Sequence, residues 1–308
     1  MAVYLVTGGC GFIGSHLCCA LMERGHRVRV LDNLSTGSLA NLPADTEVIR
    51  GSVTDRSIVA EAMRDVHGCF HLAAVASVEE STRNWFVTHQ TNLSGTIAVF
   101  ETASRGRPKP IPVVYASSAA VYGHSNRLPL RESVPAIPRS PYGADKYACE
   151  LQGRLAFQLF DTCTIGLRFF NVYGPRQHAS SPYSGVISIF CDRILRQSPI
   201  DIFGDGKQTR DFIYIKDVIE ALIASMHRAR GLYDVYNVCT GKATSILEIA
   251  HIIGELCGYK PDLNFRPARA GEVAHSQGHP GRMKTKLNTV SSVSLRSGLE
   301  ETLAWLRS

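Results

Sequence analysis

The first 25 residues constrain this chain more than any other stretch. Val3-Tyr4-Leu5-Val6-Thr7 is an apolar, β-forming run. It breaks into Gly8-Gly9-Cys10-Gly11 and resumes at Phe12 as a helix of about three turns, closed by Gly25. Gly9, Gly11 and Gly14 satisfy G-x-G-x-x-G, and Gly8, Gly11 and Gly14 satisfy G-x-x-G-x-x-G. Between a strand and a helix, such glycines permit a tight turn, a close approach of backbone to pyrophosphate and close packing of helix on strand. The helix N-terminus then presents N–H groups and a positive dipole end to the phosphates. Gly8, Gly11, Phe12, Ile13 and Gly14 are therefore expected to hold a dinucleotide. The next strand, Arg27–Leu31, ends at Asp32, 18 positions beyond Gly14. A carboxylate there accepts from ribose hydroxyls and repels a 2′-phosphate, so the expected cofactor is NAD.

Strand-like and helix-like segments alternate through the first 170 residues, which predicts an α/β fold: a Rossmann-type, doubly wound parallel sheet. After Phe170 the alternation becomes irregular. Residues 171–185 read as a long loop, and Val186–Arg196 as a helix. Asp217–Ala229 and Val235–Val238 read as a helix and a strand that rejoin the main sheet. The expected organisation is an NAD-binding domain over 1–170, rejoined by 216–239. A smaller, partly interleaved C-terminal lobe comprises 171–215 and 240–308. Ser245-Ile246-Leu247-Glu248 is a capping box that predicts a further helix.

Composition narrows the function. Lys and Arg number 33 against 27 Asp and Glu, but no basic run or aromatic-basic stripe accompanies the charge of +6, so no nucleic-acid partner is expected. No apolar run reaches membrane length, so no membrane partner is expected either. No signal peptide precedes the first strand. Nine cysteines lack metal-ligand spacing and read as small buried residues of a reducing compartment. A cytoplasmic protein without a metal site is the expectation.

Pro141-Tyr142-Gly143-Ala144-Asp145-Lys146 places a phenol and an ammonium on one helical face at i, i+4. Tyrosine is ordinarily a poor base, with a pKa of about 10. A neighbouring cation favours its phenolate. About two dozen residues upstream, Ser117-Ser118 ends a predicted strand, where a hydroxyl can bond a substrate oxygen and relay a proton. Beside a nicotinamide these groups point to redox chemistry at a carbinol carbon.

These motifs, with others along the chain, resemble the extended short-chain dehydrogenase/reductase family, and within it the nucleotide-sugar 4-epimerases. The similarity rests on Thr7 to Gly14, Asp32-Asn33-Leu34-Ser35-Thr36-Gly37, His71-Leu72-Ala73-Ala74, Asn92, Ser117 to Gly123 and Tyr142 to Lys146. It continues through Arg168 to Arg176, Arg210-Asp211-Phe212 and Arg269-Ala270-Gly271-Glu272. The resemblance implies that Tyr142 is the base, Lys146 holds the nicotinamide ribose, and Ser118, rather than Ser117, contacts the sugar O4. It further implies that Asn33 and Ser35 line the adenosine ribose, and that Ala73, Ala74 and Asn92 contact the cofactor. Asn171, Arg210 and Arg269 would grip the UDP pyrophosphate, a task that suits arginine forks. One departure is Ser52, where relatives carry aspartate for the adenine amino group; Val53 can still pack on the ring. The implied reaction is redox-neutral: the C4 carbinol is oxidised to a 4-keto sugar, which turns and is reduced on its other face.

Related dehydratases need a carboxylate directly after the hydroxyl residue, and Ala119-Ala120 supply none. Net reductases of this kind prefer NADP, which Asp32 disfavours. Ser276 stands where such epimerases wall the sugar pocket, and its small side chain predicts room for an N-acetyl group. UDP-N-acetylglucosamine, UDP-glucose or both are the expected substrates. The alternatives are UDP-glucuronate and, in a different class, a non-catalytic NAD-binding sensor; a sensor would have no need of Tyr142 and Lys146. The resemblance also implies a homodimer through a four-helix bundle of Trp85–Ser104 and Tyr142–Phe160, and a place in polysaccharide biosynthesis.

Overall fold

The computed structural model describes residues 1–106, 109–177, 185–269 and 273–307. The first half alternates strand and helix: β1 (Val3–Thr7), α1 (Phe12–Glu23), β2 (Arg27–Asp32), β3 (Glu47–Arg50), α2 (Arg56–Ala62) and β4 (Gly68–His71). Then come α3 (Val78–Arg83), α4 (Trp85–His89), α5 (Gly95–Ser104), β5 (Val113–Ser118), α6 (Pro141–Phe160) and β6 (Thr164–Phe169). The second half holds β7 (Asn171–Tyr173), α7 (Val186–Leu195), β8 (Ile200–Phe203), β9 (Thr209–Arg210), β10 (Phe212–Tyr214), α8 (Ile215–Arg228) and β11 (Tyr233–Val238). It closes with β12 (Thr244–Ser245), α9 (Ile246–Leu256), β13 (Leu263–Arg266), α10 (Gly281–Leu287) and α11 (Leu295–Arg307).

Seven strands form one parallel sheet in the order β11-β6-β5-β4-β1-β2-β3. The order reverses beside β1, so the cleft at the carboxyl ends of β1 and β4 is where such a sheet binds ligand. The central strands are buried on both faces: all six residues of β6 and all four of β4 are shielded. Burial on both faces is why neither shows the apolar-polar alternation of a half-exposed strand. β11 lies on the sheet edge beside β6, so the chain returns to the first sheet after completing the small two-stranded sheet β10-β7, and then leaves it again to supply β12 and β13, which pair with β9 and β8.

Two elements differ from the sequence reading. Asn171–Tyr173 opens the expected long loop, yet it pairs in parallel with β10, Phe212 opposite Asn171. Trp85–Ser104 is not one regular helix: a π-helical turn over Gln90–Ser94 joins α4 to α5. The predicted helix forms with Ser245 as its N-cap: Ser245 Oγ accepts from the Glu248 N–H at 3.1 Å. Among the described residues no helix is long and apolar enough to cross a membrane.

Candidate active site

A cleft of about 1670 Å³ runs across the carboxyl ends of the sheet, well above the size needed for one small ligand. Its first wall is the glycine turn. Gly8 has φ +71°, and a Cβ added there would lie 2.8 Å from the Ala73 backbone nitrogen. At Gly14 an added Cβ would collide with the Gly8 carbonyl oxygen. Gly11 occupies the N-cap of α1 without a side-chain cap, so the first N–H groups of that helix are left to the cleft, lined here by Phe12, Ile13 and Gly14. These features fit a dinucleotide pyrophosphate.

Asp32 ends β2 at the cleft wall, 8% exposed. Its carboxylate accepts from the Cys10 N–H at 2.9 Å and the Leu34 N–H at 2.8 Å, which fixes it beside the turn. Asn33 Oδ1 accepts from the Ser35 N–H at 3.1 Å, an Asx turn that shapes this corner. Ser52 and Val53 form the adjoining surface; Ser52 Oγ lies 2.8 Å from Thr54 Oγ1, and Val53 is buried against Gly95. Ala73 and Ala74 line the middle of the cleft.

Asn92 does not line the cleft. It is fully buried on the π-helical turn, where its amide donates to the Val75 carbonyl at 3.0 Å and accepts from the Val75 N–H at 2.8 Å. These two bonds hold the wall segment that ends at Val75. A second hold comes from His71. Thr96 Oγ1 donates to the Asn92 carbonyl at 2.6 Å, so it accepts from His71 Nε2–H at 2.9 Å. His71 Nδ1 accepts from Thr7 Oγ1 at 2.7 Å, and that oxygen accepts from the N–H groups of Leu72 and Ala73. Burial, with help from the Lys146 charge, holds the imidazole pKa down at about 3, consistent with this neutral tautomer.

At the centre of the cleft stand Ser118, Tyr142 and Lys146. Ser140 Oγ caps α6 on the Gly143 N–H, and Pro141 takes the first helical position, so Tyr142 enters the helix with a fixed direction. The Tyr142 N–H donates to Ser81 Oγ at 3.2 Å, tying α6 to α3. Lys146 is 4% exposed, donates to the Ala116 carbonyl at 2.9 Å, and sits 5.9 Å from the Tyr142 ring centroid. Ser118 is half-buried at the end of β5, whereas Ser117 turns inward and donates to Glu150 Oε1 at 2.5 Å. Both serines border the cleft, but the Ser117 hydroxyl is engaged by Glu150, which leaves Ser118 as the hydroxyl for a ligand.

The far wall carries Asn171, Arg210, Arg269 and Ser276. Arg210 Nη1 donates to the Thr209 carbonyl at 2.9 Å, and Ser276 N–H donates to the Thr209 carbonyl at 3.1 Å, so the two flank one backbone. The Arg269 guanidinium lies 4.0 Å from the Phe203 ring centroid. Ala270, Gly271 and Glu272 lie outside the described residues. Phe203 and Arg176 also line the cleft and were not singled out from the sequence. An aromatic in a short apolar strand reads as core, and only the position of Phe203 just before Gly204-Asp205-Gly206 hinted otherwise. Among the described residues no group of three or more His, Cys, Asp or Glu side chains could hold a metal.

Residues 4–239 match the NAD dependent epimerase/dehydratase family. The chain is 37% identical over 306 residues, 98% of each protein, to a putative UDP-glucose 4-epimerase of Methanocaldococcus jannaschii. Its structure superposes on the UDP-glucose 4-epimerase of Thermotoga maritima, solved with UDP-glucose, with a TM-score of 0.94 and 34% identity, covering 99% of this chain and 98% of that one. It also superposes on the UDP-N-acetylglucosamine 4-epimerase of Methanobrevibacter ruminantium, solved with UDP-N-acetylmuramic acid, with a TM-score of 0.90, the same identity and the same coverage. With a glycine turn and an Asp32 corner that fit NAD, and a match across most of its length, the chain belongs to the NAD-dependent epimerase/dehydratase family.

Proposed function

We propose that this protein is an NAD-dependent 4-epimerase of UDP-hexoses, acting on UDP-N-acetylglucosamine and UDP-N-acetylgalactosamine, on UDP-glucose and UDP-galactose, or on both pairs. The observation that carries the reading is the single cleft. It sets Tyr142, Lys146 and Ser118 between a dinucleotide-type glycine turn on one wall and Asn171, Arg210 and Arg269 on the other.

Gly8, Gly11, Phe12, Ile13 and Gly14 would hold the NAD pyrophosphate, Asp32 the adenosine ribose, and Lys146 the nicotinamide ribose. When bound there, NAD supplies reversible redox chemistry at the sugar C4. Ser118 bonds the sugar O4, and Tyr142 accepts and later returns its proton. Buried Lys146 sets its Nζ beside the phenol ring. Arg210 and Arg269 oppose the charge of the UDP pyrophosphate, which anchors the nucleotide while the sugar turns. Ala119 and Ala120 bring no acid to a neighbouring carbon, so the chemistry stays at C4. The small side chain of Ser276 on the far wall supports entry of an N-acetyl group.

A homodimer accompanies this reading. Leu151, Leu155 and Leu159 lie on one face of α6 and are exposed, as are Ile97 of α5 and Trp85 and Phe86 of α4.

Proton NMR of the purified protein with UDP-N-acetylglucosamine or UDP-glucose, without added NAD, tests the proposal. Appearance of a galacto anomeric signal is the expected result. Conversion of UDP-glucose alone would remove the Ser276 argument. Silence with both, persisting after NAD is added, would overturn the choice of substrates and move the assay to UDP-glucuronate.

A further inference from the structure

Asp211 is fully buried, yet it stands next to Arg210, an arginine of the cleft wall. Its carboxylate is surrounded by donors from two distant segments. Oδ1 accepts from the Thr240 N–H at 2.8 Å and the Thr240 hydroxyl at 2.7 Å. Oδ2 accepts from the Gly241 N–H at 2.9 Å and the Gly278 N–H at 3.1 Å. Gly278 can come this close only without a side chain, since an added Cβ would lie 2.5 Å from Cys239 Sγ and 2.7 Å from Phe170. On the backbone side, the Asp211 carbonyl accepts from the Asn171 N–H at 3.0 Å.

We propose that Asp211 is a positioning residue of the substrate wall, a charged group that helps fix Asn171, Arg210 and Ser276 relative to each other. The inference rests on the reading of that wall as the UDP-sugar site. Asn171 is held through the Asp211 carbonyl, Arg210 is its chain neighbour, and Ser276 stands two residues before the Gly278 that the carboxylate grips. Other ties bear no carboxylate: the Ser276 N–H donates to the Thr209 carbonyl at 3.1 Å. Gln277 donates through its side chain to the Gly241 carbonyl at 2.8 Å, and Leu130 pairs by backbone with Gln277. Those are neutral hydrogen bonds, whereas a buried carboxylate that accepts four donors is charge-assisted and directional. A displaced wall separates the phosphate grip from the sugar pocket, which weakens the hold on the nucleotide sugar.

Asp211→Asn keeps the shape but turns an NH₂ group toward N–H donors, leaving at least one of them without an acceptor. In the purified holoenzyme the variant should raise KM for both UDP-sugars and weaken UDP binding, read by calorimetry, by about tenfold. Its kcat should change less than about threefold. Its NAD content should match wild type, because the glycine turn lies on the other wall. Thr240→Val removes one donor and keeps the fold-defining backbone bonds; it should shift KM in the same direction by a few-fold, and it carries the test where Asp211→Asn fails to fold. A lowered Tm with unchanged KM and unchanged UDP affinity in the variants would show a purely structural role and overturn the proposal alone. Wild-type protein that neither converts UDP-sugars nor binds UDP would overturn the reading of the wall, and this proposal with it.

Discussion

At the scale of single residues, the chemistry depends on which hydroxyl faces the cleft and what surrounds it. Tyr142 has its backbone fixed by Ser81 and its helix start fixed by Ser140, so Tyr142→Phe removes the proposed proton carrier and leaves those bonds in place. Turnover should fall by at least about a hundredfold while UDP and NAD still bind, as a group needed only in the reaction demands. Retained turnover at wild-type rate would remove Tyr142 from its role, and survival of the physiological role in the inactive variant would favour the sensor reading. Ser276 tests the substrate. A tyrosine there fills the pocket beside Arg210, so Ser276→Tyr should suppress conversion of the N-acetylated sugar about tenfold or more and spare UDP-glucose. Equal loss on both substrates would sink the argument from side-chain size. Local spacing made Tyr142, Lys146 and the glycine turn legible in the sequence, because an i, i+4 pair and a strand–turn–helix need no distant partner. The hold of Asn92 on Val75 was not legible for the opposite reason: the partner is 17 residues away, and packing brings the two together.

Between elements, the machinery is tied together by a buried ion pair. Glu150 lies one turn after Lys146 on α6. It accepts from Arg168 Nε at 2.8 Å and Nη2 at 2.7 Å on β6, and from Ser117 on β5. Arg168 in turn stacks 4.7 Å from the Tyr122 ring centroid, and the Tyr122 hydroxyl donates to Asn237 on β11. Two strands and α6 thus meet at one carboxylate, and β11 joins them through Tyr122 and Arg168. Glu150→Gln leaves a guanidinium buried beside a neutral amide, and should cost about 3 kcal/mol of unfolding free energy in a denaturant titration. Removing both charges with apolar residues of similar size, Glu150→Met with Arg168→Leu, should cost less than the two single changes added together. Simple additivity would show that the pair does not act as a unit. The network was invisible in the sequence, where Glu150 and Arg168 look like ordinary helix and strand charges. The same holds for β7 and β10, since three-residue strands carry too little alternation to announce themselves. The break between α4 and α5 was hidden because Gln90–Ser94 contains no proline or glycine to mark it.

For the molecule as a whole, two properties follow from what is buried and what is not. His71 is 4% exposed and its folded pKa is held near 3, against about 6.5 when unfolded. A depressed histidine contributes stability that is fully present above pH 6.5 and is lost as pH falls toward 3. From pH 7 to 5.5 this one group should remove about 1 kcal/mol of unfolding free energy. His71→Gln should flatten that part of the pH profile, and an unchanged slope would sink the assignment. The second property concerns assembly. Leu151, Leu155 and Leu159 are 44, 43 and 67% exposed along one stripe of α6, with Trp85 and Phe86 at 64 and 72% nearby. Single exposed leucines are ordinary, but a stripe of three beside two large aromatics is the pattern of a covered helix face. A second copy in two-fold register can cover it with the same stripe, as an isologous interface requires. Charges at its centre would then have to be desolvated without partners, so Leu155→Glu with Leu159→Glu should weaken the dimer at least a hundredfold. Sedimentation equilibrium at micromolar concentration should give a dimer for the natural chain and a monomer for the double variant. Because α6 also carries Tyr142 and Lys146, the monomer's kcat shows whether the partner stiffens the catalytic helix. A natural chain that sediments as a monomer would refute the interface outright.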